Sequence, residues 1–335
     1  MTTNSQDLLV PARRYRVVGS RGRDTAKSSR NVLVLEDKGP TLLHADEFTN
    51  LHLHHFDAEK GEAFWCRTAN ERAVASDPFY YQGIRKNAQE GFSVKFDDLT
   101  FWQRPMAARP IFIFSIGRCG STLFSKVCEA AGLMTWSEPD SFTNLAISPK
   151  LQASPGRFRS LTRAALVDLA DKTRVAGASE FGVKFRSEVN PICEDISSHH
   201  RDSVSFFLVR DPIEWAISRR RHWSIGPVRL AKLLIEHVEN MRLAKSRGLA
   251  AHVLDYRSLV ERPHEQVERL RNAIGLPQME TSALEAIMCT DSQKGSSIAR
   301  GTGIVAPEDY IKKFKHAVYR RAPWILETDP QQWLG

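Results

Sequence analysis

The chain has 335 residues, of which 42% are hydrophobic and 26% are charged, and its formal net charge is +8. This length allows one large α/β domain, or a domain with an appendage, and the composition is ordinary for a globular protein. The positive charge is spread along the chain, which indicates a basic surface more than a dedicated polyanion site. No apolar stretch approaches the length that a membrane span requires, so a membrane-spanning protein is excluded.

The cysteines favour a reducing compartment. There are five of them, scattered along the chain, and none forms a CxxC pair. An odd, scattered set argues for buried thiols and against a disulfide framework. The first residues, MTTNSQDLLVPARR, lack a hydrophobic signal core. We therefore expect a cytoplasmic protein, with attachment at a membrane surface as the alternative.

Residues 1–105 are predicted to form an N-terminal extension of mixed structure, whose function the sequence does not indicate. Short strands are expected at 14–18, 32–35, 41–43 and 51–56, and a helix at 77–90. The run Leu51-His52-Leu53-His54-His55 places two histidines on one face of a strand. Because no other ligand lies at a matching spacing, an exposed strand edge is a better interpretation than a metal site.

Residues 106–335 alternate between strand and helix patterns. Strands are expected at 111–114, 181–185, 204–209 and 252–256, and helices at 156–172, 227–248 and from Pro263 to a stop at Gly275. Such alternation predicts an α/β fold with a P-loop-type parallel sheet flanked by helices. Ligands of such folds bind at the carboxyl ends of the strands.

The segment 110–132 is the most informative part of the chain. An apolar strand leads into the loop around Gly120, and Ser121 and Thr122 begin an apolar helical pattern. A strand, a tight loop and a helix N-terminus together favour anion binding. A nucleotide-kinase P-loop needs a Lys after its last Gly, but here Ser121 follows Gly120, and the cation comes earlier, as Arg118. The loop therefore points to a phosphate-bearing donor other than ATP.

A second candidate anion site follows the strand predicted at 204–209. That strand ends at Arg210, Asp211 can cap a helix, and Pro212 suits its first turn. Ser218 lies two turns into this helix. An arginine fork and a serine hydroxyl could grip one phosphate from two sides.

With these motifs the chain resembles the sulfotransferases that use 3′-phosphoadenosine 5′-phosphosulfate (PAPS). In that family a [K/R]-S-G-[T/S]-[T/S] loop holds the 5′-phosphosulfate, and here it reads Arg118-Cys119-Gly120-Ser121-Thr122. A strand followed by Arg-x-Pro, with Ser eight positions after the Arg, holds the 3′-phosphate in the family. The chain departs from the pattern at Cys119, which replaces the usual loop serine, and at Arg118, which replaces lysine.

Two later features belong to the same resemblance, which covers roughly residues 110–313. The family's Y-x-x-L-x-x-x-P…G-L-P segment is matched by Tyr256, Leu259, Pro263 and Gly275-Leu276-Pro277. A basic Gly/Ser loop that closes over the nucleotide in the family is similar to the stretch from Lys294 to Arg300. The resemblance implies that Lys294 and Arg300 help to bind the donor, together with Arg118 to Thr122, Arg210 and Ser218.

The implied activity is transfer of a sulfuryl group from PAPS to a hydroxyl or amine acceptor, with 3′-phosphoadenosine 5′-phosphate (PAP) as product. The candidate catalytic residues are Arg118, Glu138 as general base, and Lys184 at the sulfonate; Asp140 and His222 are further candidates for the base. By analogy with phosphoryl transfer, positioning and charge neutralisation suffice, so no metal is expected.

Two other functions remain open. A phosphotransferase on the same fold would need the missing P-loop lysine, and a non-catalytic nucleotide-binding module would bind PAP without transferring anything. The expected acceptor is a small molecule, a carbohydrate or a lipid, and the sequence does not distinguish them. Nucleic acid is not expected as a partner, since the basic stretch 13–30 lacks interleaved aromatic residues. A homo-oligomer is possible.

Overall fold

The computed structural model describes residues 8–21, 32–200, 202–276, 280–290 and 306–334, apart from the side chains of residues 75 and 76. The chain divides into two compact units. The first joins Met1–Pro110 to Trp136–Val183, and the second joins Ile111–Thr135 to Lys184–Gly335. The first unit thus includes a segment that lies beyond the predicted extension.

The first unit contains an antiparallel five-stranded sheet of order β2-β1-β5-β4-β3. Its strands are β1 (Leu9–Ser20), β2 (Leu33–His44), β3 (His52–Asp57), β4 (Glu62–Thr68) and β5 (Ala88–Lys95). Gly91 of β5 lies under the ring of Phe64, where an added Cβ would come within 2.2 Å of Cζ. The close packing of β4 on β5 therefore requires a glycine at this position.

Within the described residues, the first unit includes five α-helices, of which two lie between strands of this sheet and three follow it in the chain. They are α1 (Glu71–Ser76), α2 (Tyr80–Asn87), α4 (Asp140–Ile147), α5 (Pro149–Gln152) and α6 (Pro155–Val175), with 3-10 helices at Ala45–Asn50 and Phe96–Gln103. The prediction of a helix over 77–90 was wrong at its end, because residues 88–90 begin β5. Strands β4 and β5 were not predicted.

The histidine-rich strand β3 lies at the edge of its sheet, yet it is buried. His52, His54 and His55 are 3%, 0% and 1% exposed. The backbone N–H of Phe56 donates to Oδ1 of Asn144 on α4 at 3.3 Å, so α4 covers this strand. The expectation of an exposed edge was therefore wrong, because helix packing protects the edge from water.

A buried polar network joins the two chain segments of the first unit. Nε1 of Trp65 donates to Oδ1 of Asp168 at 3.1 Å, and Nζ of Lys172 lies 2.7 Å from the same oxygen. These three side chains are almost fully buried. The charged pair and the indole satisfy one another, as burial of polar groups requires.

The second sheet confirms the predicted α/β class. Its strands are β6 (Arg109–Ser115), β7 (Met134–Ser137), β8 (Glu180–Lys184), β9 (Val204–Val209) and β10 (Ala251–Asp255), in the order β10-β9-β6-β8-β7. Strands β6 and β9 are parallel, as are β9 and β10. The N–H of Arg109 donates to the carbonyl oxygen of Ser179, and the N–H of Phe185 donates to that of Ile113. Residue numbers increase in both strands from the first bond to the second, so β6 and β8 are parallel too.

The helices that accompany this sheet in the second unit begin with α3, directly after the loop that follows β6. They are α3 (Ser121–Ala130), α7 (Cys193–Ser197), α8 (Pro212–His222), α9 (Pro227–Ser246), α10 (Tyr256–Glu261), α11 (Pro263–Ile274), α12 (Thr281–Cys289), α13 (Glu308–Tyr319) and α14 (Trp324–Glu327), with 3-10 helices at Ser187–Ile192 and Pro330–Gln332. Among the described helices, none combines the length and apolar character needed to cross a bilayer.

Strand β6 occupies the centre of the sheet, and its side chains Ile111 to Phe114 are fully buried. The chain places β7 and β8 on one side of β6 and then β9 and β10 on the other. The carboxyl ends of β6 and β9 therefore meet where the strand order reverses. This is where ligands bind in open α/β sheets.

Candidate functional site

The loop between β6 and α3 has the backbone of an anion-binding concavity. Gly117, Arg118 and Gly120 have φ values of +72°, +56° and +81°. The hydroxyl of Ser115 accepts a hydrogen bond from the N–H of Gly117 at 3.3 Å and fixes the start of the loop. Left-handed residues in close succession turn backbone N–H groups toward a common centre, where an anion can bind.

Gly120 is required at the N-cap of α3 for two reasons. Its conformation is left-handed, and an added Cβ would lie 2.5 Å from Cδ2 of Tyr256, the first residue of α10. Glycine also offers no side-chain acceptor to the first N–H groups of α3, in contrast to a serine or aspartate cap. The first N–H groups of α3 therefore meet no side-chain oxygen from their own cap residue.

The side chain of Arg118 reaches α8. Its Nε donates to Oγ of Ser218 at 3.2 Å, and its Nη2 lies 3.1 Å from Nε2 of His222. Ser218 and His222 are one turn apart on the same helix face. The guanidinium thus links the loop after β6 to the helix after β9.

Arg210 immediately precedes Asp211, the N-cap residue of α8, and lies against the loop between β6 and α3. Its Nη1 donates to the backbone oxygen of Arg118 at 3.3 Å, and its guanidinium stacks over the ring of Tyr256 at 4.3 Å. Its Nε and Nη2 donate to Glu214 at 3.2 Å. Both predicted anion motifs are therefore in direct contact within the second unit.

Helix α8 is held in place by a cap and by an indole. The carboxylate of Asp211 accepts from the N–H groups of Ile213 and Glu214, each at 2.9 Å. Nε1 of Trp215 donates to the carbonyl oxygen of Gly117 at 2.7 Å. These bonds fix the position of Ser218 relative to the loop.

Two of the candidate side chains are deeply buried. Lys184 ends β8, as predicted, and is 2% exposed. The thiol of Cys119 donates to the carbonyl oxygen of Leu208 on β9 at 3.2 Å, and burial raises its pKa to about 11. The Cys119 side chain therefore connects the loop after β6 to strand β9. Only the backbone of Cys119 is then left to contact a ligand.

Arg219 follows Ser218 on α8 and was not among the predicted site residues. Its guanidinium lies 5.5 Å from the Trp215 ring and 5.0 Å from the Trp223 ring. Burial lowers its pKa, and an added Cβ on Gly117 would lie 3.2 Å from its Nη1. The spacing of Trp215 and Trp223, four residues to either side, was the available signal.

The two candidate carboxylates, Glu138 and Asp140, belong to the first unit. Asp140 is fully buried, and its Oδ2 accepts from Nη2 of Arg85 at 2.7 Å. Glu138 has φ of +58°, and among the described residues it shares a positive φ only with Arg118 and glycines. Such strained backbone is typical of functional sites. Lys294, Arg300 and Pro277 lie outside the described residues.

No cluster suited to a metal ion occurs in the described part of the chain. Among the histidines of β3, His52 has other partners: its Nδ1 lies 2.7 Å from the Tyr80 hydroxyl, and its Nε2 lies 2.8 Å from Glu71. His54 is fully buried, and burial holds its pKa well below the usual range. His52 therefore makes structural contacts in the first unit.

No family model and no curated protein matches the chain. Among solved structures, it is similar to a sulfotransferase from Mycobacterium avium (13% identity, 57% of this chain and 69% of that chain, TM-score 0.40). It is also similar to the sulfotransferase domain of the Synechococcus olefin synthase (17% identity, 66% and 98%, TM-score 0.41). A third is retinol dehydratase with androsterone and the inactive cofactor PAP (14% identity, 84% and 92%, TM-score 0.36).

Proposed function

We propose that the chain is a sulfotransferase that moves a sulfuryl group from PAPS to a hydroxyl or amine acceptor and releases PAP. One observation carries this proposal: Arg118 donates to Ser218, and Arg210 donates to the backbone oxygen of Arg118. Two anion motifs that lie about ninety residues apart in the sequence thus meet at the ends of adjacent strands. A donor with phosphates at two positions of one nucleoside needs two such groups side by side.

The residues present suit this donor. The loop Arg118 to Thr122 offers backbone N–H groups and a guanidinium for the 5′-phosphosulfate. Arg210 and Ser218 offer a fork and a hydroxyl for the 3′-phosphate, which would have to compete with Glu214 for Arg210. We further propose that Lys294 and Arg300 help to bind the donor.

Transfer of the sulfuryl group requires little covalent chemistry from the protein itself. The acceptor oxygen or nitrogen attacks sulfur in line, and the bond from sulfur to the 5′-phosphate oxygen breaks. Arg118 and the loop N–H groups stabilise the charge that grows on the leaving phosphate. Lys184 is assigned to the sulfonate. Glu138 stays a prediction for the base that takes the acceptor's proton.

Binding of PAP tests the donor site without knowledge of the acceptor. Calorimetry should show that the wild-type protein binds PAP and that Arg210→Ala weakens binding about 10- to 100-fold, the value of a charge-assisted hydrogen bond. Arg229→Ala is the matched control, since Arg229 is exposed on α9. Unchanged affinity of Arg210→Ala, or no PAP binding at all, would contradict the donor assignment.

Transfer is then measured with ³⁵S-labelled PAPS and a panel of small alcohols, amines, carbohydrates and lipids. Arg118→Ala should abolish transfer while the fold stays intact, because the leaving charge loses its cation. A folded Arg118→Ala enzyme with near-normal turnover would refute the role of Arg118. Turnover of ATP in place of PAPS would instead favour a phosphotransferase.

The wider assignments are proposals of the same kind. We place the donor site in a domain of residues 106–335, with 1–105 as an extension, and the acceptor among small molecules, carbohydrates and lipids. All five cysteines are free, which supports a reducing compartment such as the cytoplasm.

A further inference from the structure

We propose that a cavity bordered by helix α13 and the start of α9 binds a ligand with two or more phosphate groups. This α13 cavity has a volume of about 500 Å³. Its basic lining residues are Lys312, Lys313, His316, Arg320 and Arg321. None of them belongs to the proposed donor site, so this inference does not depend on the proposed function.

The spacing of the basic residues places them on one face of α13. Lys312, His316 and Arg320 recur every fourth residue, and residues four apart lie on the same side of an α-helix. Phe314 and Val318 of α13 are fully buried, and this packing fixes the rotation of the helix about its axis. The cations are therefore held in a row at the edge of the cavity.

The rest of the lining does not neutralise these cations. Among the described residues that line the cavity, the others are Val228 and Ala317, and none carries a carboxylate. Val228 lies in the first turn of α9, whose N-cap residue, Gly226, has no side chain to accept from the first N–H groups. The positive end of the α9 dipole thus adds to the potential of the basic side chains.

Two of the lysines have carboxylate partners, but these ion pairs are weak. Nζ of Lys312 lies 3.0 Å from Glu308, and Nζ of Lys313 lies 2.7 Å from Asp309. All four side chains are mostly exposed, so water screens the pairs and an anionic ligand can compete for the lysines.

The two arginines at the end of α13 have no such partner. Among the described residues, no carboxylate lies within ion-pair distance of Arg320 or Arg321, and both side chains are exposed. Cations in this position also favour the dipole of α13, but that interaction leaves the guanidinium donors unused. Two unpaired forks next to two weakly paired lysines suit phosphate groups, whose oxygens arginine binds in pairs.

The size of the cavity indicates more than one phosphate. Pockets that hold small ligands have volumes of about 300–1,000 Å³, and a single inorganic phosphate would leave most of this cavity to water. A ligand with several phosphates can engage the lysines and the arginines at once. Such groups occur on soluble phosphorylated compounds and on lipid headgroups, and the cavity offers the same contacts to both.

The first test follows the ring of His316 by NMR in the full-length protein while inositol hexakisphosphate is added. The His316 signals should shift until they saturate, whereas those of His264, exposed on α11, should not move. Inorganic phosphate should need a concentration about tenfold higher or more, because it engages fewer cations at once. No shift of His316 with the hexakisphosphate would overturn the proposal.

The second test compares variants by calorimetry with the same probe. Arg320→Ala/Arg321→Ala should weaken binding about 10- to 100-fold, the value of a charge-assisted hydrogen bond, and should keep the fold because both side chains are exposed. Arg13→Ala/Arg16→Ala removes the same charge from exposed positions of β1 and should retain the wild-type affinity. Equal losses in the two variants would show attraction by the net charge alone and overturn the site.

Arg210→Ala separates the α13 cavity from the proposed donor site. The shift of His316 with inositol hexakisphosphate should persist in this variant. Its loss would mean that the probe acts from the donor site, and the inference would fall while the proposed function remained.

The third test distinguishes the two sources of the ligand. Vesicles of phosphatidylcholine with phosphatidylinositol bisphosphate are compared with vesicles of equal surface charge made with phosphatidylserine. Sedimentation of the protein with the first vesicles alone identifies a lipid headgroup, and a His316 response to the free probe without sedimentation identifies a soluble ligand. Equal sedimentation with both vesicles would overturn the requirement for several phosphates on one ligand.

Discussion

At the scale of single residues, Gly120 combines two constraints that can be measured separately. Its left-handed φ disfavours any side chain, and Tyr256 occupies the space of a Cβ. Gly248 is the matched control, because its φ is +94° and an added Cβ would meet nothing within 4 Å. Gly248→Ala should lower the free energy of unfolding by about 1 kcal/mol, the cost of the conformation alone.

Gly120→Ala should lower the free energy of unfolding by about 2–4 kcal/mol, because overpacking against Tyr256 adds to the backbone cost. Urea denaturation of both variants checks the difference. Equal losses in the two variants would show that the approach of Tyr256 carries no cost. Tyr256→Ala in the Gly120→Ala background should recover the extra loss.

His237 makes stability depend on pH. Burial, aided by the charge of Arg219, lowers its pKa from 6.5 to about 3 in the folded protein. Below pH 6.5 the unfolded chain binds a proton that folded His237 does not bind, so stability falls as the pH falls toward 3. The slope from this group approaches about 1.4 kcal/mol per pH unit.

Replacing His237 by Gln should reduce the slope of unfolding free energy between pH 6.5 and 5, whatever its effect at pH 7. Urea titrations at a series of pH values measure this slope. An identical slope in the variant and the wild type would mean that His237 protonates in the folded state.

At the scale of elements, we expect the cap of α8 to link the stability of the protein to the proposed binding of PAP. Asp211 satisfies two N–H groups at the start of the helix that carries Ser218 and His222. Asp211→Ala should lower the free energy of unfolding by about 1 kcal/mol and also weaken PAP binding, while Asp211→Asn should retain most of both. Thermal unfolding and calorimetry check the pair; a stable Asp211→Ala with full PAP affinity would show that the cap does not position the helix.

Elements with strong local signals were predictable from the sequence. Strand β9 was predicted with its observed bounds, since an apolar run ends at a charged residue, and Pro212 and Asp211 mark the start of α8. Strand β5 was missed because no Gly or Pro separates it from α2; the helix ends at Asn87, whose side chain donates to the Gly83 carbonyl. Tertiary pairing with β4 then decides the conformation of residues 88–95.

The residue types of the candidate site could be predicted from the sequence, but the contacts between these residues could not. Anion chemistry requires glycines, arginines and hydroxyls, and these stand out in the sequence at Arg118, Gly120, Arg210 and Ser218. The bond between Arg118 and Ser218 spans one hundred residues and depends on β6 lying next to β9. Sequence spacing carries no information on such a non-local contact, nor on the positive φ of Glu138.

At the scale of the whole molecule, the N-terminal residues form one unit with 136–183. Trp65 and Phe56 each bond to residues of that later segment, at Asp168 and Asn144. A fragment of residues 106–335 would expose these buried partners to water. We expect it to aggregate or to unfold without cooperativity, whereas the full chain unfolds cooperatively.

Expression of the fragment and calorimetric unfolding check this expectation. Co-expression of residues 1–105 should restore a soluble complex, because the buried polar network then has its partners. A fragment that melts cooperatively by itself would show that residues 1–105 are a dispensable appendage.

The bond between the Cys119 thiol and the Leu208 carbonyl has a practical consequence. Because burial raises the pKa of the Cys119 thiol, almost none of it is thiolate at physiological pH. We therefore expect Cys119 not to react with electrophiles or peroxides. Cys66, Cys128 and Cys193 are buried as well, and Cys289 on α12 is exposed. A maleimide dye or spin label will therefore attach at Cys289, giving a reporter on the native protein without prior mutagenesis.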